Sequence, residues 1–160
     1  AAVFCEQGIR WTWRELLQRV ERAAAGLVRL GVKKGDRVGI WSPNRAEWLV
    51  TQFSTARIGA ILVNINPAYR RAELEYALNK VGCRALILAP AFKTSNYLEM
   101  LADLAPELAS AGLGKPRPAR LPDLEFVIRL GAESFVLNRP GQAGAMLPDR
   151  IRSGARPSSL

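Results

Sequence analysis

Residues 56–88 read ARIGAILVNINPAYRRAELEYALNKVGCRALIL, and this stretch decides the fold. A helix ends at Gly59, an apolar strand follows, and Asn66-Pro67 predicts a turn. An amphipathic segment then predicts a second helix that ends at Gly82, and a second apolar strand comes directly after it. Two strands joined by a helix are parallel, because the connection returns the chain to the same end of the sheet. The stretch therefore predicts a βαβ unit.

The same order of elements recurs upstream of this unit. Gly31, Gly59 and Gly82 each close a predicted helix, and each is soon followed by a short apolar run. The predicted strands are 38–41, 60–65 and 85–89. Runs such as Ile61-Leu62-Val63 are typical of strands that are covered on both faces. The fold class is therefore α/β, a layered parallel sheet with helices on both faces and right-handed crossovers.

Two further helices are predicted before Gly59. Residues 2–6 and 9–11 predict a hairpin, and Thr12 and Glu15 form a capping box that starts the first helix. The apolar face expected of this helix consists of Leu16, Leu17, Val20, Ala24 and Leu27. In the second helix, at about 45–58, the side chains at three-four spacing are Trp48, Leu49, Gln52, Phe53 and Ala56.

The pattern weakens towards the end of the chain. A helix is predicted within 94–108, with Pro106 ending it early, then a Gly/Pro/Arg-rich loop over 109–122 and a last strand over 124–130. Beyond Gly131 no period of 2 or 3.6 is sustained. We therefore expect a partial domain over 1–131 and a disordered or unrelated tail over 132–160.

Composition bounds the class of protein. The chain has 160 residues, a size suited to one modest domain, and no apolar run long enough to span a membrane. It has no histidine, and Cys5 and Cys83 lie far apart, so a zinc site is not expected. Cys83 is interpreted as a small buried residue, and two unpaired thiols suit a reducing compartment. No secretory leader is visible. The first residue is alanine rather than methionine, which is consistent with a processed chain or an incomplete one, and we favour the incomplete one.

The net charge of +9 makes two classes of binding partner worth considering, nucleic acid and anionic membrane. The arginines are spread along the sequence among glutamates, which is typical of solvated helix faces. No aromatic-basic interleaving or helix-turn-helix spacing is visible, so nucleic-acid binding is not expected. A peripheral protein of an anionic surface remains an alternative, which a clustered basic face on one helix would favour.

Four short motifs carry a resemblance to a known family. They are WTWREL at 11–16, LGVKKGDRV at 30–38, PN with EW at 43–48, and GAILVNINPAY at 59–69. In this order and spacing they resemble the adenylate-forming (AMP-dependent) acyl-CoA synthetase superfamily over residues 2–131. The segments ELEYAL at 73–78, VGC at 81–83 and FKT at 92–94 are most similar to medium-chain fatty-acid–CoA ligases.

The resemblance implies an amino-terminal fragment of such a ligase. Members of the family use ATP, Mg²⁺ and coenzyme A to convert a fatty acid to its acyl-CoA, with AMP and pyrophosphate as the other products. Their Gly/Ser/Thr-rich phosphate loop is not found here, and the glycine-rich candidates Gly112-Leu113-Gly114-Lys115 and 141–144 match it poorly. We therefore assign no catalytic, cofactor-binding or metal-binding residue, and expect this chain to be inactive and to bind no cofactor.

One further hypothesis and two further expectations accompany this interpretation. The alternative function is a stand-alone α/β interaction module without catalysis. Fatty acid and coenzyme A are the partners in the full-length family, and an exposed sheet edge would allow self-association. The expected location is the cytoplasm, or the mitochondrial matrix if the source is eukaryotic.

Overall fold

The computed structural model describes residues 2–108, 118–131 and 136–138. The helices are α1 (Trp13–Arg29), α2 (Ala46–Arg57), α3 (Arg71–Val81) and α4 (Tyr97–Leu104). The strands are β1 (Ala2–Phe4), β2 (Ile9–Trp11), β3 (Arg37–Trp41), β4 (Ile61–Ile65), β5 (Cys83–Leu88), β6 (Ala91–Phe92), β7 (Ser95–Asn96), β8 (Phe126–Arg129) and β9 (Val136–Asn138). Short 3₁₀ turns lie at Cys5–Gln7 and Pro106–Leu108.

A five-stranded sheet in the order β4-β3-β5-β8-β9 forms the centre of the fold. The first four strands are mutually parallel, and β9 is antiparallel to β8. The hairpins β1–β2 and β6–β7 are separate from this sheet. The predicted parallel α/β sheet is therefore confirmed.

Helices cover both faces of the sheet, as the sequence predicted. On one face, α1 contributes Leu27 to a cluster with alternate residues of the strands, including Val38, Ile87 and Ile128. On the opposite face, α3 and α4 contribute Leu78 and Leu104. The helix α2 packs beside α1, where Leu16, Val20 and Val50 form a third cluster. In the described ranges, no helix has the length and apolar character needed to cross a bilayer.

The glycines and the capping box behave as predicted. Thr12 and Glu15 satisfy each other's backbone amides at the start of α1. The backbone of Gly31, Gly59 and Gly82 has positive φ angles of 92°, 70° and 59°, the left-handed conformation that ends a helix.

Two predictions about buried faces are wrong. The strand β4 is not buried on both faces, because Ile61 is 52% exposed and Leu62 and Val63 are only partly buried. It also forms the outer edge of the sheet. In α2 the set Trp48, Leu49, Gln52, Phe53 and Ala56 is not the buried face. The buried residues of α2 include Val50, Thr51, Ser54 and Thr55. The hydroxyl groups of the last three donate to carbonyls of the same helix. Internal hydrogen bonds let small polar side chains take positions that hydropathy assigns to apolar ones.

Smaller differences concern element boundaries. The predicted helix over 94–108 starts later, at Tyr97, because β7 precedes it, and it ends at Leu104, before Pro106. In α1, Leu17 is 49% exposed rather than part of the buried face. The loop residues 109–117 and most of the predicted tail lie outside the described residues, apart from the strand β9.

Candidate functional site

The carboxyl edge of the sheet contains a point at which the chain direction changes. After β3 the chain passes to α2 on one face, and after β5 it passes to α4 on the other face. Since β3 and β5 are neighbours, the two loops diverge from adjacent strand ends. Open parallel sheets bind ligands in the crevice outside such a switch point. This edge is therefore the candidate site.

An aromatic clamp fixes the loop after β4 to this edge. The rings of Trp41, at the end of β3, and Tyr97, at the start of α4, are stacked with centroids 3.7 Å apart and an angle of 14°. The Trp41 Nε1–H donates to the carbonyl of Asn66 (3.2 Å), and the Tyr97 hydroxyl donates to the carbonyl of Pro67 (2.6 Å). Both rings are fully buried. Residues that are 56 positions apart in sequence thus hold the turn between β4 and α3.

The turn itself is closed locally, as the Asn-Pro pair predicted. The Asn66 side-chain oxygen accepts from the backbone N–H of Ala68 (2.9 Å), and the Asn66 carbonyl accepts from that of Tyr69 (3.0 Å). Local and long-range hydrogen bonds therefore converge on a single residue. This convergence leaves the loop after β4 little freedom to move.

A second device fixes the loop after β3. The helix α2 has no cap from its own N-terminal residue, and the Gln7 side chain accepts from the Ala46 backbone N–H instead (2.7 Å). Gln7 Nε2 also donates to Glu47 (3.1 Å), and Arg45 pairs with the same carboxylate (3.1 Å). Burial alone would raise the pKa of Glu47, but these hydrogen bonds outweigh it and lower the pKa below its ordinary value.

The strand ends behind this edge form an apolar, buried wall, in which Trp41, Ile65 and Leu88 are 0–4% exposed. Burial, slightly offset by Arg70, raises the pKa of the Tyr97 hydroxyl to about 12, so this group remains a hydrogen-bond donor at neutral pH. At the opposite, amino end of β5, burial raises the pKa of the Cys83 thiol to about 11, and Cys83 Sγ lies against the carbonyl of Ala85 (3.1 Å). This agrees with its interpretation as a small buried residue rather than a nucleophile.

The amino edge of the sheet is held by charges. Arg84 Nε and Nη2 donate to Glu125 Oε2 (3.0 and 2.9 Å), and Nη1 donates to Asp36 (2.5 Å) and to the carbonyl of Gly31 (2.9 Å). This network joins the segments that precede β3 and β8 to β5. Its location, at the end of the strands opposite the candidate site, gives it a structural role.

The glycine-rich candidates for a phosphate loop, 112–115 and 141–144, lie outside the described residues. Among the described side chains, no group of three or more Cys, Asp or Glu is arranged to hold a metal ion. Sequence reasoning missed Gln7 and the pair Trp41–Tyr97. The sequence held a weak signal for the aromatic pair. Trp41 is an aromatic residue at the end of an apolar strand, and Tyr97 is an aromatic residue directly after Asn96, the N-cap of α4.

Comparison with known proteins identifies the family. The family described as AMP-binding enzyme matches residues 1–123. The chain belongs to the AMP-binding enzyme family. It is 47% identical over 148 residues to a mitochondrial medium-chain acyl-CoA ligase of Danio rerio, covering 91% of this chain and 24% of that one. It is 46% identical over 160 residues to the Bos taurus protein of the same name, covering 100% and 25%.

A solved structure of an anthranilate CoA ligase in complex with anthranoyl-AMP shows the same fold. It aligns with a TM-score of 0.60 at 26% identity, covering 74% of this chain and 19% of that one. The chain therefore spans about a quarter of the length of the AMP-binding enzymes that it matches in sequence. These comparisons confirm the predicted family and the match to the amino-terminal part of acyl-CoA ligases.

Proposed function

We propose that this chain forms the amino-terminal scaffold of a fatty-acid–CoA ligase. The complete enzyme would use ATP and Mg²⁺ to convert a fatty acid to an acyl-adenylate and then transfer the acyl group to coenzyme A. The observation that carries the proposal is the identity of about 46% to ligases named for medium-chain acyl-CoA formation. In this proposal the chain supplies a rigid wall, fixed by Gln7 and by the Trp41–Tyr97 clamp.

The role of the scaffold follows from the contacts at the carboxyl edge. The loops after β3 and β4 are each held by a side chain distant in sequence, so they keep a fixed position relative to the switch point. A fixed wall lowers the cost of orienting bound substrates, because little chain entropy is lost when they bind. None of the described residues at this edge combines a nucleophile with a base, so we propose no catalytic role for them.

A segment exchange tests the proposal. Residues 1–131 of this chain replace the corresponding segment of the Danio rerio ligase, and thioester formation is measured with ATP, coenzyme A and fatty acids of several lengths. We expect the exchanged enzyme to form acyl-CoA, whereas the 160-residue chain alone does not exceed a no-protein control. A folded but inactive exchanged enzyme, or activity of the chain alone, would contradict the scaffold proposal.

Location and self-association extend the proposal. The named relatives are mitochondrial proteins, which supports the mitochondrial matrix over the cytoplasm for this chain. Self-association would proceed through β4, which has no neighbouring strand on its outer side within the described sheet. An unpaired strand edge with an exposed isoleucine is a template for pairing with a second chain.

A further inference from the structure

The helix α1 exposes apolar side chains along one line of its surface. Trp13, Leu17 and Val28 are 66%, 49% and 54% exposed. Their separations of four and eleven positions place them within about 60° of one another around a helix of 3.6 residues per turn. The line borders the buried face of α1, so the apolar sector of this helix is wider than the part that packs on the protein.

Three arginines occupy the next sector of the same helix. Arg14, Arg22 and Arg29 are exposed, and their separations of eight and seven positions place them within about 80° of one another. None of the three forms an ion pair in the described part of the chain, where Arg45, Arg57, Arg71, Arg84 and Arg120 do. These arginines are seven or eight positions apart in sequence, and the turn of the helix places them on one side of α1.

The two glutamates of α1 offset this charge only in part, because the helix carries four arginines. Glu21 lies next to the apolar line and is ion-paired with Arg57 of α2 (3.0 Å). Glu15 lies on the other side of the arginine sector, where the Thr12 hydroxyl and backbone N–H donate to its carboxylate. A fourth arginine, Arg19, is directed to the ring of Trp11 (4.3 Å). The exposed surface therefore combines an apolar line with a positively charged flank.

We propose that this face of α1, defined by Trp13, Leu17, Val28, Arg14, Arg22 and Arg29, docks on an anionic lipid bilayer surface. A helix with exposed tryptophan and leucine beside arginines lies in the plane of the interface, with the apolar residues at the acyl boundary and the cations among the headgroups. The net charge of +9 strengthens the attraction. The sequence hypothesis of dispersed arginines is corrected by this arrangement, and the inference does not depend on ligase activity.

Vesicle sedimentation tests the proposal with the full 160-residue chain. One vesicle preparation contains phosphatidylcholine alone, and the other is an equimolar mixture with phosphatidylserine. We expect binding to the mixed vesicles only. The variant R14Q/R22Q/R29Q should partition about 100-fold more weakly, because each arginine near the surface contributes about fivefold. W13A/L17A should also lose binding, and wild-type tryptophan fluorescence should shift to the blue.

Matched controls separate the face of α1 from overall charge. R70Q/K80Q/K93Q removes the same charge on the opposite side of the sheet, and Y76A removes an exposed aromatic ring from α3. Both should bind like the wild type, and circular dichroism checks that all variants fold. Equal loss in the two charge variants, equal binding to both vesicle types, or no binding of the wild type would overturn the proposal. The last result would leave this face to an acidic protein partner.

Discussion

Replacing Arg84 with methionine tests whether the charge network at the amino edge stabilises the fold. The guanidinium group donates three hydrogen bonds to the carboxylates of Asp36 and Glu125 and one to the carbonyl of Gly31. The three charged side chains are only 20–25% exposed. Methionine keeps the aliphatic stem but removes the guanidinium group that donates to both carboxylates.

The magnitude follows from this burial. Hydrogen bonds to charged groups contribute about 1.5–3 kcal/mol when they are buried, whereas exposed ion pairs contribute about 0–1 kcal/mol. Each of the two ion pairs of Arg84 lies between these limits, at about 1–2 kcal/mol, so we expect the loss of both to lower the free energy of unfolding by about 2–4 kcal/mol. With a urea dependence of about 2 kcal/mol per molar, the denaturation midpoint falls by about 1–2 M.

The control is the same substitution at Arg120. Its ion pair with Glu75 is on the surface, where the Arg120 side chain is 53% exposed, so its loss should cost less than about 1 kcal/mol. A double-mutant cycle of R84M with E125Q isolates the pair from the lost packing. If R84M destabilises the chain no more than R120M does, the reasoning about the amino edge is wrong.

The same network predicts a dependence on pH. Burial alone would raise the pKa of Asp36, but hydrogen bonds from the Lys33 amide and Arg84 outweigh it and hold the pKa below the ordinary 3.8. A carboxylate with a lowered pKa in the folded state stabilises the protein above its unfolded pKa, and this stability is lost as pH falls through the folded pKa. The difference between wild type and R84M should therefore be constant above about pH 5 and shrink below about pH 4.

Three further predictions concern the carboxyl edge and the sheet edge. Y97F should lower the free energy of unfolding by about 1–2 kcal/mol, because the partly buried carbonyl of Pro67 loses its donor. Y76F at the surface should change it by less than about 0.5 kcal/mol. Urea denaturation compares the two, and equal effects would contradict the clamp. Q7A should cost about 1 kcal/mol by the same measurement, since α2 loses the side-chain cap from Gln7, and an unchanged midpoint would show that water replaces it. At micromolar concentration the wild-type chain should elute on size exclusion at an apparent mass above 17.6 kDa. I61K should elute later, close to the monomer mass, because an edge lysine opposes strand pairing, and identical elution of the two would refute association through β4.

Within the described residues, local signals were sufficient for the four helices, for the four parallel strands of the sheet and for the class of fold, but not for the short strands β6, β7 and β9. The Thr12 capping box, the glycines at helix ends and the Asn66-Pro67 turn each act over a few residues, so their meaning does not depend on the rest of the molecule. The parallel arrangement followed from the helical crossover between apolar strands. The order of the strands in the sheet could not be predicted, because central and edge strands have similar apolar sequences.

The same limit explains the errors at β4 and α2. Leu62 and Val63 are apolar in either position, and only the sheet order shows that the outer side of β4 has no neighbouring strand. In α2 the buried Thr51 and Ser54 satisfy their hydroxyl groups on the helix backbone, which hydropathy does not anticipate. The devices that fix the candidate site depend on contacts such as that of Gln7 with Ala46, for which the sequence holds no local signal.

The strand order has a consequence for synthesis of the chain on the ribosome. Strand β3 lies between β4 and β5, and its residue Arg37 pairs with Cys83, which is translated 46 residues later. At roughly 5–20 residues per second, one edge of this apolar strand waits about 2–9 seconds for its partner. Parallel pairing across such separations is also slow in itself. The nascent chain therefore presents Val38, Ile40 and Trp41 to other molecules for seconds, so β3 is open to non-native contacts during translation.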